Sequence, residues 1–190
     1  MALYNLSLAV QELHVSGQKL FNLQSLSRLL EINNPRSARS VVMRLTNQNI
    51  LTRIAKDTYM LTQPAPSRFA IANFLYSPSY ISLETALNYH GILSQFPLEI
   101  TSVTPKKSIT KRVDSQVFSY AHLKSDLFWG YEKIDNELIA LPEKALLDQM
   151  YLTSKGLRIV HFDEYDLTRL NKSQFLKFAK LFPKMDIPTI

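Results

Sequence analysis

Two helical stripes separated by only two asparagines constrain this chain more than any other feature. In "FNLQSLSRLLEI", Leu23, Leu26, Leu29 and Leu30 share one side of a helix for which Asn22 is the natural cap. The next helix opens with Asn34, a preferred N-cap residue, and with Pro35 at the first helical position, where its missing N–H would be unpaired anyway. From there Ala38, Val41, Val42 and Leu45 recur at helical spacing. Asn33 and Asn34 alone join the two, a connection tight enough for a helix-turn-helix. Upstream, Leu6, Ala9, Val10 and Leu13 mark a first helix that Gly17 closes. Downstream, "ILTRI" and "TYMLT" are β-prone runs joined at Ala55-Lys56-Asp57, which predicts a hairpin with an exposed lysine at its tip. Three helices and a hairpin follow the order of a winged helix, in which the third helix enters the major groove.

The third helix supports that reading through its charge. "NNPRSARSVVMRLTNQN" holds three arginines and no acidic residue. Opposite the apolar stripe lie Arg36, Ser40, Met43 and Asn47, flanked by Ser37, Arg39 and Arg44. A merely solvated helix usually mixes both signs so that pairs form one turn apart. The order of the elements favours a DNA-reading surface made of Arg36, Ser37, Arg39, Ser40, Arg44 and Asn47, with Lys56 of the hairpin on phosphate.

Whole-chain composition narrows the partner class. The 190 residues carry a net charge of +6, which favours an anionic partner. Residues 1–63 hold seven basic against three acidic residues, so most of the excess sits on the segment with the winged-helix pattern. The absence of cysteine excludes disulfides and thiolate zinc sites and suits a reducing cytoplasm. No apolar run approaches the length of a membrane span and no signal sequence opens the chain, so the expected location is cytoplasmic.

"TQPAPS", residues 62–67, is the best boundary between a winged-helix domain over 1–63 and a second domain over 68–190. There Ser67 caps the short helix "RFAIANFLY", and Ser82 is the expected cap of a helix carrying Leu83, Ala86 and Leu87, stopped at Gly91. Strand-like runs follow: "EITSVT", "QVFSYAHL", "YEKI" and "ELIAL", the last two turning at Asp135-Asn136. Lys106, Lys107, Lys111 and Arg112 fall in the expected loop between the first two. Pro142 starts a helix with Ala145, Leu146, Met150 and Tyr151 inward, "RIVHF" is ambiguous, and Asn171 caps a final helix that Pro183 stops. The expected class is α+β with a mostly antiparallel sheet.

These residues resemble the AbiEi family, the antitoxin and transcriptional-regulator half of type IV abortive-infection toxin–antitoxin systems. Three blocks in order carry the resemblance across residues 5 to 182: an N-terminal winged helix ending in a wing strand like "DTYML"; "YISLETALNYHGIL" followed by a strand and the basic "VTPKKSITKR"; and "LPEKALLDQMYL". The resemblance implies a repressor of its own operon that binds double-stranded DNA through the winged helix. It also implies an antitoxin opposing a nucleotidyltransferase-like toxin without a stable complex. An operator with repeated half-sites calls for a dimer or cooperatively loaded monomers.

Chemistry of other kinds finds little footing. His14, His90, His122 and His161 show no metal-ligand spacing, so no metal or cofactor is expected, and four glycines make no phosphate-cradling loop. Ser82 lacks a nucleophile-elbow context. Glu143 fits the positive end of its helix, and Asp148, beside an apolar stripe, fits a structural hydrogen bond better than catalysis. No catalytic residue is assigned. Lys106, Lys107, Lys111 and Arg112 read either as a solvated hairpin or as contacts to phosphate or a partner. Tyr120, Phe128, Trp129 and Tyr131 read first as core and second as a stacking platform for single strands. A protein-interaction module without sequence-specific DNA binding, and a nucleic-acid enzyme, are the competing functional classes.

Overall fold

The computed structural model describes residues 5–159 and 162–184, and the chain divides into two compact units, Met1–Ser67 and Arg68–Ile190. The class is α+β. Among the described residues no helix is long and apolar enough to cross a membrane.

The first unit runs α1 (Leu6–Val15), β1 (Leu20–Asn22), α2 (Leu23–Leu29), α3 (Pro35–Asn47), β2 (Leu51–Ala55) and β3 (Thr58–Leu61). Asparagine starts all three helices. Asn5 accepts from the Ser7 N–H at 3.0 Å, Asn22 forms a reciprocal box with Ser25, and Asn34 accepts from Arg36 N–H at 2.9 Å. Gly17 takes φ +66°, the left-handed turn that ends α1. The three strands form an antiparallel sheet in the order β1-β3-β2. Strand β1 was not among the expected strands: three residues are too few to show a period of two, and β3 selects them by pairing. Ala9, Leu13, Phe21, Leu26, Val41, Val42, Leu45, Leu51 and Leu61 make one core.

The second unit contains α4 (Arg68–Leu75), β4 (Tyr80–Ile81), α5 (Leu83–Tyr89), β5 (Glu99–Thr104), β6 (Ile109–Val113), β7 (Gln116–His122), β8 (Tyr131–Ile134), β9 (Glu137–Ala140), α6 (Pro142–Ser154) and α7 (Lys172–Ala179). Its six strands are ordered β6-β7-β5-β4-β9-β8. Three pairings are antiparallel, while β5–β7 and β4–β9 are parallel, so the sheet is mixed although mostly antiparallel. Asp135 and Asn136 both take positive φ, the backbone that a tight two-residue hairpin requires. Strand β4, one of the two middle strands, is only two residues long. Residues 143–152 of α6 are all buried, polar ones included, where the sequence showed one inward face only. Residues 158–159 form neither helix nor strand, Phe162 opens a short 3-10 turn, and Val160 and His161 lie outside the described residues.

Phe21 is fully buried at the centre of the first unit's core. Phe21→Ala should cost about 3–5 kcal/mol there, a large share of what a domain of this size holds. Thermal unfolding followed by circular dichroism should then lose the first unit's transition and retain the second's.

Candidate functional site

Helix α3 packs Ala38, Val41, Val42 and Leu45 into the core and turns the remainder outward. Arg36, Arg39, Ser40 and Asn47 are exposed, while Ser37 and Arg44 are half-buried at the margins. Met43 stands among them at 59% exposure. The ion pairs of the described residues all lie in the second unit, and the three guanidinium groups of α3 have no carboxylate partner among those residues. The face is therefore a patch of uncompensated positive charge with one apolar side chain in its midst. Lys56 is exposed at the turn between β2 and β3, where Asp57 takes φ +52°. The Asp57 carbonyl accepts from the Leu23 N–H at 2.9 Å, which ties the hairpin tip to the start of α2. Arg53 is a further exposed cation on β2, its Nε donating to the Ala55 carbonyl at 3.2 Å; the alternating strand pattern did not say which face stays open.

The four cations of the second unit separate. Lys111 and Arg112 lie in strand β6, not in a loop, and Lys106 and Lys107 precede it. The Lys111 ammonium donates to the Leu75 carbonyl at 2.9 Å, and the Lys106 ammonium donates to the Ser77 carbonyl. Both sit over the Tyr76 ring, 5.3 Å (Lys106) and 5.4 Å (Lys111) from its centroid. They thus neutralise the negative end of α4. Lys107 and Arg112 are the exposed members that remain.

A second polar centre lies inside the unit. Lys144 and Asp148, one turn apart on α6 and both fully buried, form an ion pair. Asp148 also accepts from the Tyr80 hydroxyl at 2.9 Å and the Ser82 hydroxyl at 2.8 Å, and Lys144 donates to Tyr80 at 2.8 Å. Ser82 occupies the N-cap position of α5, but its hydroxyl makes no cap bond and is spent on Asp148. The following residue, Leu83, is held at φ +60°, a conformation an L side chain rarely adopts. Burial pushes the Asp148 carboxyl up and the Lys144 ammonium down, each opposed by the other's charge. Burial, then Asp148, holds the Tyr80 hydroxyl well above its ordinary value. Gly130 covers Lys144 so closely that a Cβ there would lie 2.9 Å from the lysine Cγ.

The aromatics are occupied in packing. Tyr131 stacks on Tyr80 at 4.6 Å, Phe128 leans on both, and Trp129 meets Phe178 and Phe182 edge-on. Tyr120 is buried and donates to the Ala72 carbonyl at 2.7 Å. None of the described histidines gathers ligands: His14, His90 and His122 each lie within 2.9 Å of a backbone carbonyl. Glu143, also buried, accepts from the Asn171 N–H at 2.8 Å.

No protein-family model matches the chain, and no curated protein matches it. Among solved structures, the crystal structure of the RV2827C protein from Mycobacterium tuberculosis is similar, with a TM-score of 0.59 across 93% of this chain and 71% of that one. The two share 16% of their residues, and the likeness is one of fold alone.

Breaking the buried pair from either side leaves a charge without a partner. Lys144→Met and Asp148→Asn should each destabilise the second unit by about 3–5 kcal/mol. In the double variant the amide oxygen that replaces the carboxylate still accepts from Tyr80 and Ser82. That variant should recover a large part of the loss; denaturant unfolding at neutral pH measures it.

Burial also raises the Tyr165 hydroxyl to about 12 and the Tyr80 and Tyr120 hydroxyls with it. A folded-state value above the unfolded one contributes stability that is present below the ordinary tyrosine range, about 10, and is lost as pH rises through the folded value. In an absorbance titration these three of nine tyrosines should withhold ionisation until the chain unfolds in alkali.

Proposed function

We propose that the chain is a DNA-binding transcriptional repressor whose first unit is a winged helix. In this reading α3 lies in the major groove and the β2–β3 hairpin is the wing, with Lys56 on phosphate. The observation that carries it is the outer face of α3: Arg36, Arg39 and Arg44 with no carboxylate partner among the described residues, beside Ser40, Met43 and Asn47. Arginine pairs with guanine edges, asparagine with adenine, and an apolar side chain such as Met43 with the thymine methyl. One such module covers little DNA, so specific binding uses two copies on half-sites spaced by a helical turn or a multiple of it.

The resemblance to AbiEi antitoxins extends the proposal. The chain represses its own operon, and its second unit opposes a nucleotidyltransferase-like toxin in the cytoplasm without a stable complex. Lys107 and Arg112 are the phosphate or partner contacts of that unit. Lys106 and Lys111 have the smaller claim, because both are engaged by backbone carbonyls at the end of α4.

Gel-shift titration with the DNA upstream of the coding region tests the reading. Arg36→Ala, Arg39→Ala and Arg44→Ala should each weaken binding, by about 1–3 kcal/mol where a base contact is lost. Lys56→Ala should weaken binding to any sequence and lower the salt slope by about one. A triple arginine variant that binds as tightly as the parent rules the assignment out.

A further inference from the structure

One side chain on the outer face of α3 differs in kind from its neighbours. Met43 is 59% exposed. Arg39 and Ser40 lie one turn before it on the helix, Arg36 two turns before, and Asn47 one turn after. All four carry hydrogen-bond donors; Met43 carries none. Leucine suits a helix equally well and is as apolar. What methionine adds at this position is a sulfur that can be oxidised and reduced again.

The chain leaves oxidants few other targets. It has no cysteine, so no thiolate competes for them. Of its five methionines, Met150 is 4% exposed inside the second unit and Met60 is half-buried on β3. Met1 and Met185 lie outside the described residues. Among the described residues Met43 is thus the exposed sulfur, and it stands in the middle of the arginine face.

A peroxide oxidises a thioether by oxygen transfer. The sulfur lone pair forms the S–O bond as the O–O bond breaks, and the departing hydroxide takes the proton of the transferred oxygen and leaves as water. Sulfur gives up two electrons and the peroxide accepts them. The sulfoxide is polar where contact with a thymine methyl calls for an apolar group. Its oxygen is also an acceptor within one turn of Arg39, a guanidinium with no carboxylate partner among the described residues. An arginine turned toward the sulfoxide is withdrawn from a guanine edge. The charge of the face does not change, so the loss falls on base reading and spares the attraction to phosphate.

We propose that Met43 is a reversible oxidation site at which a peroxide releases the repressor from its operator. The inference rests on the reading of α3 as the DNA-binding helix.

Peptide mass mapping and gel shifts of the full chain treated with hydrogen peroxide test it. Met43 should gain an oxygen well before Met60 and Met150. At a dose that leaves Met150 intact, the upstream DNA should be bound about tenfold more weakly, the share of one base contact, and unrelated DNA as before. A methionine sulfoxide reductase with a dithiol should restore the binding. In Met43→Leu, whatever its own affinity, the same dose should change nothing. Melting curves before and after treatment should coincide, because the altered side chain lies in solvent. Unchanged operator affinity with Met43 oxidised, a loss that persists in Met43→Leu, or oxidation of Met150 ahead of Met43 would each overturn the proposal and leave the DNA reading standing. An untreated parent that shifts no upstream DNA overturns the DNA reading and this proposal with it.

Discussion

A lysine and an aspartate one turn apart on α6, both stripped of water, hold the second unit together. Asp148 gathers the hydroxyls of Tyr80 and Ser82 from β4 and the start of α5, and Lys144 closes the ring on Tyr80. Strand β4 has two residues, yet it joins β5 on one side to β9 on the other. Two residues cannot define a register by side-chain alternation. The bonds from Tyr80 and Ser82 to one buried carboxylate do that for them. Such a pair gains little net stability, since desolvation offsets the attraction. What it supplies here is position, and Gly130, Trp129 and the Tyr80–Tyr131 stack exist around it.

The first unit works on the opposite principle. Its interior is wholly apolar, and its charges are left on the outside with nothing among the described residues to answer them. Asparagine caps start each helix without adding an acidic side chain to the first turn. An aspartate would cap equally well. On the proposed reading, the neutral cap keeps the start of α3 attractive to phosphate.

The cations of the second unit show why charge along a sequence overstates a binding surface. Four basic residues within seven positions look like one patch. In the fold, alternation along β6 turns Lys111 toward α4, where it joins Lys106 on the carbonyls at that helix's end. Half the patch is consumed in holding a helix.

Local patterns decided a good deal of this protein. The helices of the first unit, the Asn22 and Asn34 caps, the β2–β3 hairpin and the Asp135-Asn136 turn were legible because each depends on residues within a few positions, although the Asn5 cap of α1 went unread. The outward set of α3 followed from its apolar stripe alone. Elements created by their partners were not legible: β1 and β4 are strands only because β3, β5 and β9 pair with them. Spacing showed one inward face of α6, whereas tertiary packing buries it all round, and Ser82 exchanged the cap role for a carboxylate sixty-six residues away. Sequence periodicity reports which side of an element avoids water. Which polar groups meet once water is gone depends on distances that only the assembled fold sets.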